Sequence, residues 1–215
     1  MIKLAIVGAG GFGREVKMLI DNINFSNELY EFIGYYDDGI KKGEIINGFP
    51  VLGETSEINN ITTNTAIVIS IAIPYIRKSI REKIVNKHVS FPTLIHPNVL
   101  IGNDSVVIGE GNIICASNII TVNIEIGNFV ILNLQCTVGH DTIIKDYCSF
   151  MPTVNISGEV VIEEGVYVGT GAKIINLLNI GENTIVGSGA VVAKSLPANC
   201  TAVGIPAKPI KFHNE

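Results

Sequence analysis

Charged residues are scarce in this chain of 215 residues. They make up 16% of the sequence, against about 25% in an average soluble protein, whereas hydrophobic residues make up 47% and the mean hydropathy is +0.41. The formal net charge of -5 argues against nucleic acid or an anionic membrane as a partner. Little charge together with abundant Val, Ile and Gly predicts much buried strand and buried surface between subunits.

Long hydrophobic segments and closely spaced cysteines are also lacking. The best apolar run, residues 66–73, is far shorter than the roughly 18 residues that a membrane span needs. The apolar N-terminus leads directly into a glycine-rich turn at Gly8, which is typical of a strand and helix and not of a signal peptide. We therefore expect a cytoplasmic protein without a membrane span.

No metal site is predicted, because no CxxC motif is present among the four cysteines, and packed free thiols are expected at Cys115, Cys136, Cys148 and Cys200.

Large apolar side chains recur at every sixth position in the second half of the chain. Each such position from Ile108 to Val192 holds an aliphatic residue or Phe, often followed by Gly, with a small or β-branched residue four positions further on. A period of six fits neither a helix nor a simple hairpin. It predicts a triangular solenoid in which each hexad forms one short strand and one corner, and three hexads close a coil. We expect the large residues to fill the prism, the glycines to supply the backbone angles of the turns, and an additional coil to start at Ile95.

The first part of the chain has the pattern of an α/β domain. The apolar segment 2–7 suits a buried parallel strand, residues 14–22 a helix, residues 31–36 a second strand and residues 66–73 a third. We therefore predict a Rossmann-like domain over residues 1–92 with three or four strands. The prolines that follow mark the passage into a solenoid domain over residues 93–215.

A glycine motif indicates what the first domain binds. Gly8, Gly10 and Gly13 form GxGxxG between the first strand and its helix, and Asp37 and Asp38 end the second strand, where an acidic residue normally meets a ribose hydroxyl. A complete dinucleotide fold has six strands, so a mononucleotide group is favoured over NAD. The alternative is a domain that has kept the fold without a ligand.

His140 is the candidate catalytic base. It lies at a predicted corner, two residues after the inward-pointing Val138, so its ring should point outwards. An imidazole suits a base at neutral pH, Asp141 beside it would fix its tautomer, and a backbone N–H near Gly158 could receive an oxyanion. The alternative is a solvated corner histidine. Lys208 and Lys211 form a terminal basic patch that either approaches phosphates or is simply solvated.

The whole chain resembles the bacterial sugar O-acyltransferases of the sialic acid O-acetyltransferase type. That group includes N-acetyltransferases that act on nucleotide-linked 4-amino-6-deoxy sugars for surface glycans. The resemblance is carried by Gly8-Ala9-Gly10-Gly11-Phe12-Gly13, Tyr36-Asp37-Asp38, Ile95-His96-Pro97, Val138-Gly139-His140-Asp141, Asn155-Ile156-Ser157-Gly158 and Gly204-Ile205-Pro206-Ala207-Lys208.

The resemblance implies a left-handed parallel β-helix of hexapeptide repeats, a homotrimer, and acetyl-CoA as co-substrate in a groove between neighbouring prisms. It implies that His140 is the general base and that Asp141 raises its basicity. The positions that it implies for the nucleotide-sugar substrate are Gly10, Gly11, Phe12, Gly13, Asp37, Asp38, Ala72, Asn133 and Gly158. Those that it implies for the co-substrate are Ser149, Thr170, Ser188 and Lys208.

Two positions depart from some members of that family. Phe12 stands where some members have a histidine, which changes the sugar or nucleotide contact expected there, and Asp141 stands where some have Glu. The expected function is N-acetylation of a nucleotide-linked 4-amino-6-deoxy sugar. The alternatives are O-acetylation of sialic acid or another glycan sugar, and a scaffold or ligand-sensing role without catalysis.

Overall fold

A computed structural model describes residues 1–213. Residues 214 and 215, which end the predicted second domain, lie outside the described part. Two structural units follow one another: a six-stranded sheet with two helices, and a parallel β-helix with three sheets. No helix within residues 1–213 has the length and apolar character needed to cross a membrane.

The first unit is a mostly parallel sheet of order β3-β4-β2-β1-β5-β6. Its elements in chain order are β1 (Ile2–Val7), α1 (Gly11–Ser26), β2 (Tyr30–Tyr36), β3 (Ile45–Ile46), β4 (Phe49–Gly53), a 3₁₀ helix (Thr55–Asn60), β5 (Thr65–Ile69), α2 (Pro74–Lys83) and β6 (Val89–Ser90).

The prediction of three or four strands was too low, because β3 and β6 have two residues each and leave no periodic signal. The predicted third strand was too long. It ends at Ile69, because the Ser70 hydroxyl donates to the carbonyls of Val7 and Gly8 and the chain then leaves the ladder.

The second unit is built from two- or three-residue strands. In chain order they are β7 (Leu94–Ile95), β8 (Leu100–Ile101), β9 (Val106–Ile108), β10 (Ile113–Ile114), β11 (Ile119–Ile120), β12 (Ile124–Ile126), β13 (Ile131–Leu132), β14 (Thr137–Val138), β15 (Ile143–Ile144), β16 (Ser149–Phe150), β17 (Asn155–Ile156), β18 (Val161–Ile162), β19 (Tyr167–Val168), β20 (Lys173–Ile174), β21 (Asn179–Ile180), β22 (Ile185–Val186) and β23 (Val191–Val192). A hairpin of β24 (Cys200–Gly204) and β25 (Ala207–Phe212) closes the prism.

Every third strand belongs to the same sheet, as the period of six predicts. Face 1 runs from β7 through β10, β13, β16, β19 and β22 to the hairpin, face 2 runs from β8 to β23, and face 3 runs from β9 to β21. The large residue of each hexad is buried from Ile114 to Val192, whereas Ile108 is half-buried. The solenoid and its additional first coil are therefore confirmed, since β7, β8 and β9 pair with β10, β11 and β12.

The glycines that follow the large residues do not have the role that we predicted. The residue with positive φ is two positions further on, and it is often not glycine: Asn123, Asp141 and Glu159 have φ of 55°, 58° and 57°. Gly139 instead lies against the next coil, and a Cβ there would come within 2.6 Å of the Gly158 nitrogen. Glycine is needed at that position because the coils approach closely.

A buried arginine joins the two units. Arg77 in α2 is 1% exposed, and its guanidinium donates to the carbonyls of Ile71, Phe129, Tyr147 and Cys148. Burial lowers the pKa of Arg77 to about 10, so the group is still charged at neutral pH.

An apolar layer lies at the same junction, where Leu4 and Ile6 of the sheet share a buried cluster with Ile113 and Ile131 of the prism. The first unit is therefore packed firmly against face 1.

The four cysteines are free and buried, as predicted. Burial raises the pKa of the Cys115, Cys136 and Cys148 thiols to about 12, because a thiolate would be poorly solvated there. Inert packed thiols fit this environment. Within residues 1–213, no group of three or more His, Cys, Asp or Glu side chains is arranged to hold a metal ion.

Candidate active site

His140 and Asp141 form a hydrogen-bonded pair on an exposed corner between faces 2 and 3. The Nδ1 atom of His140 lies 2.7 Å from Oδ2 of Asp141, and the two side chains are 58% and 48% exposed. A carboxylate can only accept, so Nδ1 carries the proton and Nε2 keeps its lone pair. The hydrogen bond from His140, followed by one from Asn123, holds the pKa of Asp141 below its usual value.

The imidazole of His140 lies over Gly158 in the next coil. A Cβ at Gly158 would come within 2.5 Å of both Cε1 and Nε2, so only glycine leaves room for the ring. The backbone N–H of Glu159 also donates to the His140 carbonyl at 2.8 Å. Among the predicted site residues, the structure thus brings His140, Asp141 and Gly158 together.

A second group of predicted residues lies on the corner between faces 1 and 2. Asn133 follows β13 there, and Thr170 and Ser188 follow β19 and β22 on exposed turns. A Cβ at Gly169 would meet the Ser188 hydroxyl at 2.8 Å, which shows how closely these turns stack. Lys208 in β25 pairs with Val203, whose side chain covers Gly187. Thr170, Ser188 and Lys208 therefore share one edge.

Two members of the predicted sets lie apart from these corners. Ser149 is completely buried, and its hydroxyl donates to the Ala72 carbonyl at 2.6 Å and accepts from Arg77 at 3.0 Å. The Ser149 hydroxyl therefore fixes the junction of the two units and is not free for a bound co-substrate. Ala72 lies in the loop after β5, and its carbonyl is occupied by the same contact.

The glycine motif of the first unit forms an open helix N-terminus. A Cβ at Gly10 or Gly11 would meet nothing within 4 Å, whereas one at Gly13 would collide with the Gly8 carbonyl at 1.9 Å. Gly13 thus allows α1 to pack on β1, and the first two glycines leave space above the first turn. Such a helix N-terminus suits a phosphate group. Phe12 is half-buried against the core of this unit.

The aspartates after β2 brace the loops around that space. Oδ2 of Asp37 accepts from the backbone N–H of Ala9 at 2.8 Å, which fixes the glycine turn. Both carboxylate oxygens of Asp38 accept from Thr55, through its backbone N–H at 2.7 Å and its hydroxyl at 2.9 Å. These contacts hold the loops beside the N-terminus of α1. The contact of an aspartate with a ribose hydroxyl remains a prediction.

Two residues of the site region escaped the sequence analysis. Asn123 donates from Nδ2 to Oδ1 of Asp141 at 2.9 Å, and Arg77 clamps the loop that carries Ala72. Asn123 could have been found from the repeat, because it precedes Asp141 by 18 residues, which is one coil. Nothing in the sequence marks Arg77, because its partners in the prism are 52 to 72 residues away.

A parallel β-helix with an imidazole–carboxylate pair on its corner, joined to a domain with a phosphate-binding turn, defines the class of hexapeptide-repeat acyltransferases. The comparisons agree: residues 3–84 match the family described as PglD N-terminal domain. The chain is 35% identical over 211 residues to GDP-perosamine N-acetyltransferase from Escherichia coli O157:H7, covering 96% of this chain and 95% of that one.

Two solved structures extend the likeness over the whole fold. The acetyltransferase domain of PglB from Neisseria gonorrhoeae FA1090, in complex with acetyl coenzyme A, has a TM-score of 0.88 at 31% identity, with 97% of this chain and 98% of that chain covered. PerB from Caulobacter crescentus, in complex with CoA and GDP-perosamine, has a TM-score of 0.86 at 27% identity, with 97% of each chain covered. This chain belongs to the nucleotide-sugar acetyltransferases of the hexapeptide-repeat family.

Proposed function

We propose that the protein transfers the acetyl group of acetyl-CoA to the 4-amino group of a nucleotide-linked 4-amino-6-deoxy sugar. The observation that carries this proposal is the His140–Asp141 pair, which leaves Nε2 free over Gly158 in a chain related along its length to GDP-perosamine N-acetyltransferase. Sialic acid O-acetylation, which the resemblance also suggested, has no such support.

His140 would act first as base and then as acid. Its Nε2 takes the proton from the sugar amine while the nitrogen attacks the thioester carbonyl, and Asp141 stabilises the imidazolium that forms. A backbone N–H at Gly158 is the proposed donor to the oxyanion. When the C–S bond breaks, His140 returns its proton to the leaving sulfur, so that an acetamide and CoA are produced and the histidine is regenerated.

The first unit would hold the nucleotide. The open N-terminus of α1 at Gly10 and Gly11 offers unpaired backbone N–H groups and a positive dipole end to a diphosphate. Asp37 and Asp38 hold the neighbouring loops. We predict that the nucleoside lies between these loops and the N-terminus of α1, where it also contacts Phe12, Gly13 and Ala72. We place the reaction in the cytoplasm.

The second wall of the site would come from another copy of the chain. His140 and Asn133 lie on the two opposite corners that bound face 2, so within one chain the base and the edge of Thr170, Ser188 and Lys208 are on different corners. They would face one another across an interface between two copies along face 2, where Leu100 and Ile119 are exposed. A homotrimer with acetyl-CoA in each groove meets this condition.

Assembly can be tested by complementation. We expect light scattering to give three chains of 23.1 kDa. Coexpressed His140→Ala and Ser188→Trp chains should regain part of the activity that each lacks alone, because mixed trimers contain some grooves with two intact walls. A monomer in solution, or no recovery in isolated mixed trimers, would contradict the shared site.

Substrate turnover tests the activity itself. The purified protein is mixed with acetyl-CoA and, in turn, UDP-, dTDP- and GDP-linked 4-amino sugars, and thiol release is followed. We expect one nucleotide to support turnover and His140→Ala to lower kcat by about 10² to 10⁴-fold. The matched control is His88→Ala, since His88 lies on the surface of the first unit. Thiol release with none of these sugars, or only when sialic acid replaces them, would refute the proposal.

A further inference from the structure

The corner that carries the catalytic pair has a third polar member. In each coil one residue at this corner has positive φ, and these residues stack as Ser105, Asn123, Asp141, Glu159 and Leu177. Neighbours in the stack are one coil apart, so Asn123 lies directly beneath Asp141. Because the repeat places the two residues one above the other, this contact does not depend on the conformation of a separate loop.

Both carboxylate oxygens of Asp141 are engaged at this corner. Oδ2 lies 2.7 Å from Nδ1 of His140, and Oδ1 accepts from Nδ2 of Asn123 at 2.9 Å. The backbone N–H of Asp141 also donates to the Val122 carbonyl at 3.1 Å. The main chain of Asp141 and one of its oxygens are therefore fixed from the coil below, and the other oxygen is left for the imidazole.

We propose that Asn123 is a positioning residue for the acetyl transfer, which holds the Asp141 carboxylate so that it fixes the tautomer and ring orientation of His140. Without this amide the carboxylate, which is about half exposed, can turn about its side-chain bonds towards solvent. His140 would then spend part of its time with the proton on Nε2, where it cannot accept one from the amine. The proposal rests on the proposed function of the same site.

Asn123→Gly and Asn123→Asp test this role without disturbing the turn. Glycine and aspartate both tolerate the φ of 55° at this position. Glycine removes the donor, and aspartate replaces it with an acceptor of the same shape and adds a negative charge. We expect kcat to fall about 5- to 20-fold in both variants, with little change in either KM. Tm should fall more in Asn123→Asp than in Asn123→Gly, because the aspartate sets two carboxylates side by side.

The pH profile separates positioning from a general loss of structure. In Asn123→Asp the added carboxylate lies beside Asp141, on a corner that also carries Asp104 and Glu159 in the coils below and above, and it stabilises the imidazolium. The acidic limb of kcat/KM should therefore move to higher pH. The matched control is Asn183, whose φ is 53° at the corner between faces 3 and 1 and whose amide contacts Asn199. Asn183→Gly and Asn183→Asp should retain the wild-type kcat and pH profile.

Nitrogen NMR of His140 gives a readout that does not depend on the substrate. The wild-type ring should show Nδ1 protonated and Nε2 unprotonated, and Asn123→Gly should shift this tautomer ratio towards protonated Nε2. An unchanged ratio together with wild-type kcat and pH profile in both Asn123 variants would overturn the proposal. Equal losses in the Asn183 variants would do so as well. If no sugar is turned over but the ratio shifts, the proposed function fails and the positioning role stands.

Discussion

His140 depends on one neighbour in the sequence and on one in the adjacent coil. Asp141 sets its proton, and Gly158 in the adjacent coil provides the space in which its ring lies. The sequence predicted this trio, partly from corner spacing and partly from resemblance. The repeat places Gly158 one coil from His140, but the contact with the ring also depends on the side-chain rotamer of His140, which the spacing does not predict.

Gly158→Ala should displace the imidazole. The added Cβ would sit 2.5 Å from Cε1 and Nε2, far inside contact distance, so the ring must rotate away from its productive position. We expect kcat to fall by at least about 10²-fold, because positioning errors of about 1 Å have effects of this size.

The same substitution in the His140→Ala protein tests whether the collision with the imidazole is the cause of the loss. In His140→Ala the obstructing ring is gone, so Gly158→Ala should lower Tm in the wild-type protein but leave it nearly unchanged in the His140→Ala protein. Equal destabilisation in both backgrounds would mean that Gly158 is required for another reason.

Each hexad combines two kinds of constraint at its corner. One position, directly after the large residue, lies against the next coil, and another has a positive φ. The sequence revealed only the first of these positions, through its glycines, and we assigned the turn angles to it. The positive-φ position left no such signal, because it also holds Asn, Asp, Glu and Leu. The strand positions were predicted far better, because burial of the large residue acts on each hexad in the same way.

Paired substitutions separate these causes. A Cβ at Gly181 would lie 2.3 Å from the Ala198 nitrogen, whereas Gly189 has φ of 67° and open space around it. Ala at Gly189 should cost about 1–2 kcal/mol, and Asn there much less, because Asn tolerates positive φ. At Gly181 both substitutions should cost about 3 kcal/mol.

Urea unfolding of the four variants measures these differences. Recovery of stability by Asn at Gly181 would show that its backbone angle, and not close approach, is what requires glycine there.

On the scale of the whole molecule, one buried cation fixes the relation between the two units. Arg77 ties the loop after β5, which carries Ala72, to carbonyls of the prism, and Ser149 closes the same contact from the other side. The two units and their order could be predicted from glycine pattern and repeat. Their docking could not, because it depends on contacts between residues far apart in the chain.

Arg77→Met should therefore weaken the junction. It removes the donor of the Phe129 and Tyr147 carbonyls, whereas the Cys148 carbonyl still accepts from the backbone N–H of Ile131, and we expect a loss of about 3 kcal/mol in the free energy of unfolding. Lys83→Met is the matched control at the end of α2, where the side chain is exposed and its replacement should cost under about 1 kcal/mol. Similar urea midpoints for the two variants would contradict the assigned role of Arg77.

The backbone angle of Asp141 has a consequence for how this corner can change over time. Its φ of 58° lies in the left-handed region, which glycine, asparagine and aspartate adopt with less strain than other residues. The fold requires a residue that tolerates positive φ at this position, and catalysis requires a carboxylate beside His140. Aspartate meets both requirements, whereas asparagine meets only the first. A lineage that abandoned acetyl transfer could thus lose the acid by a single substitution and keep its architecture intact.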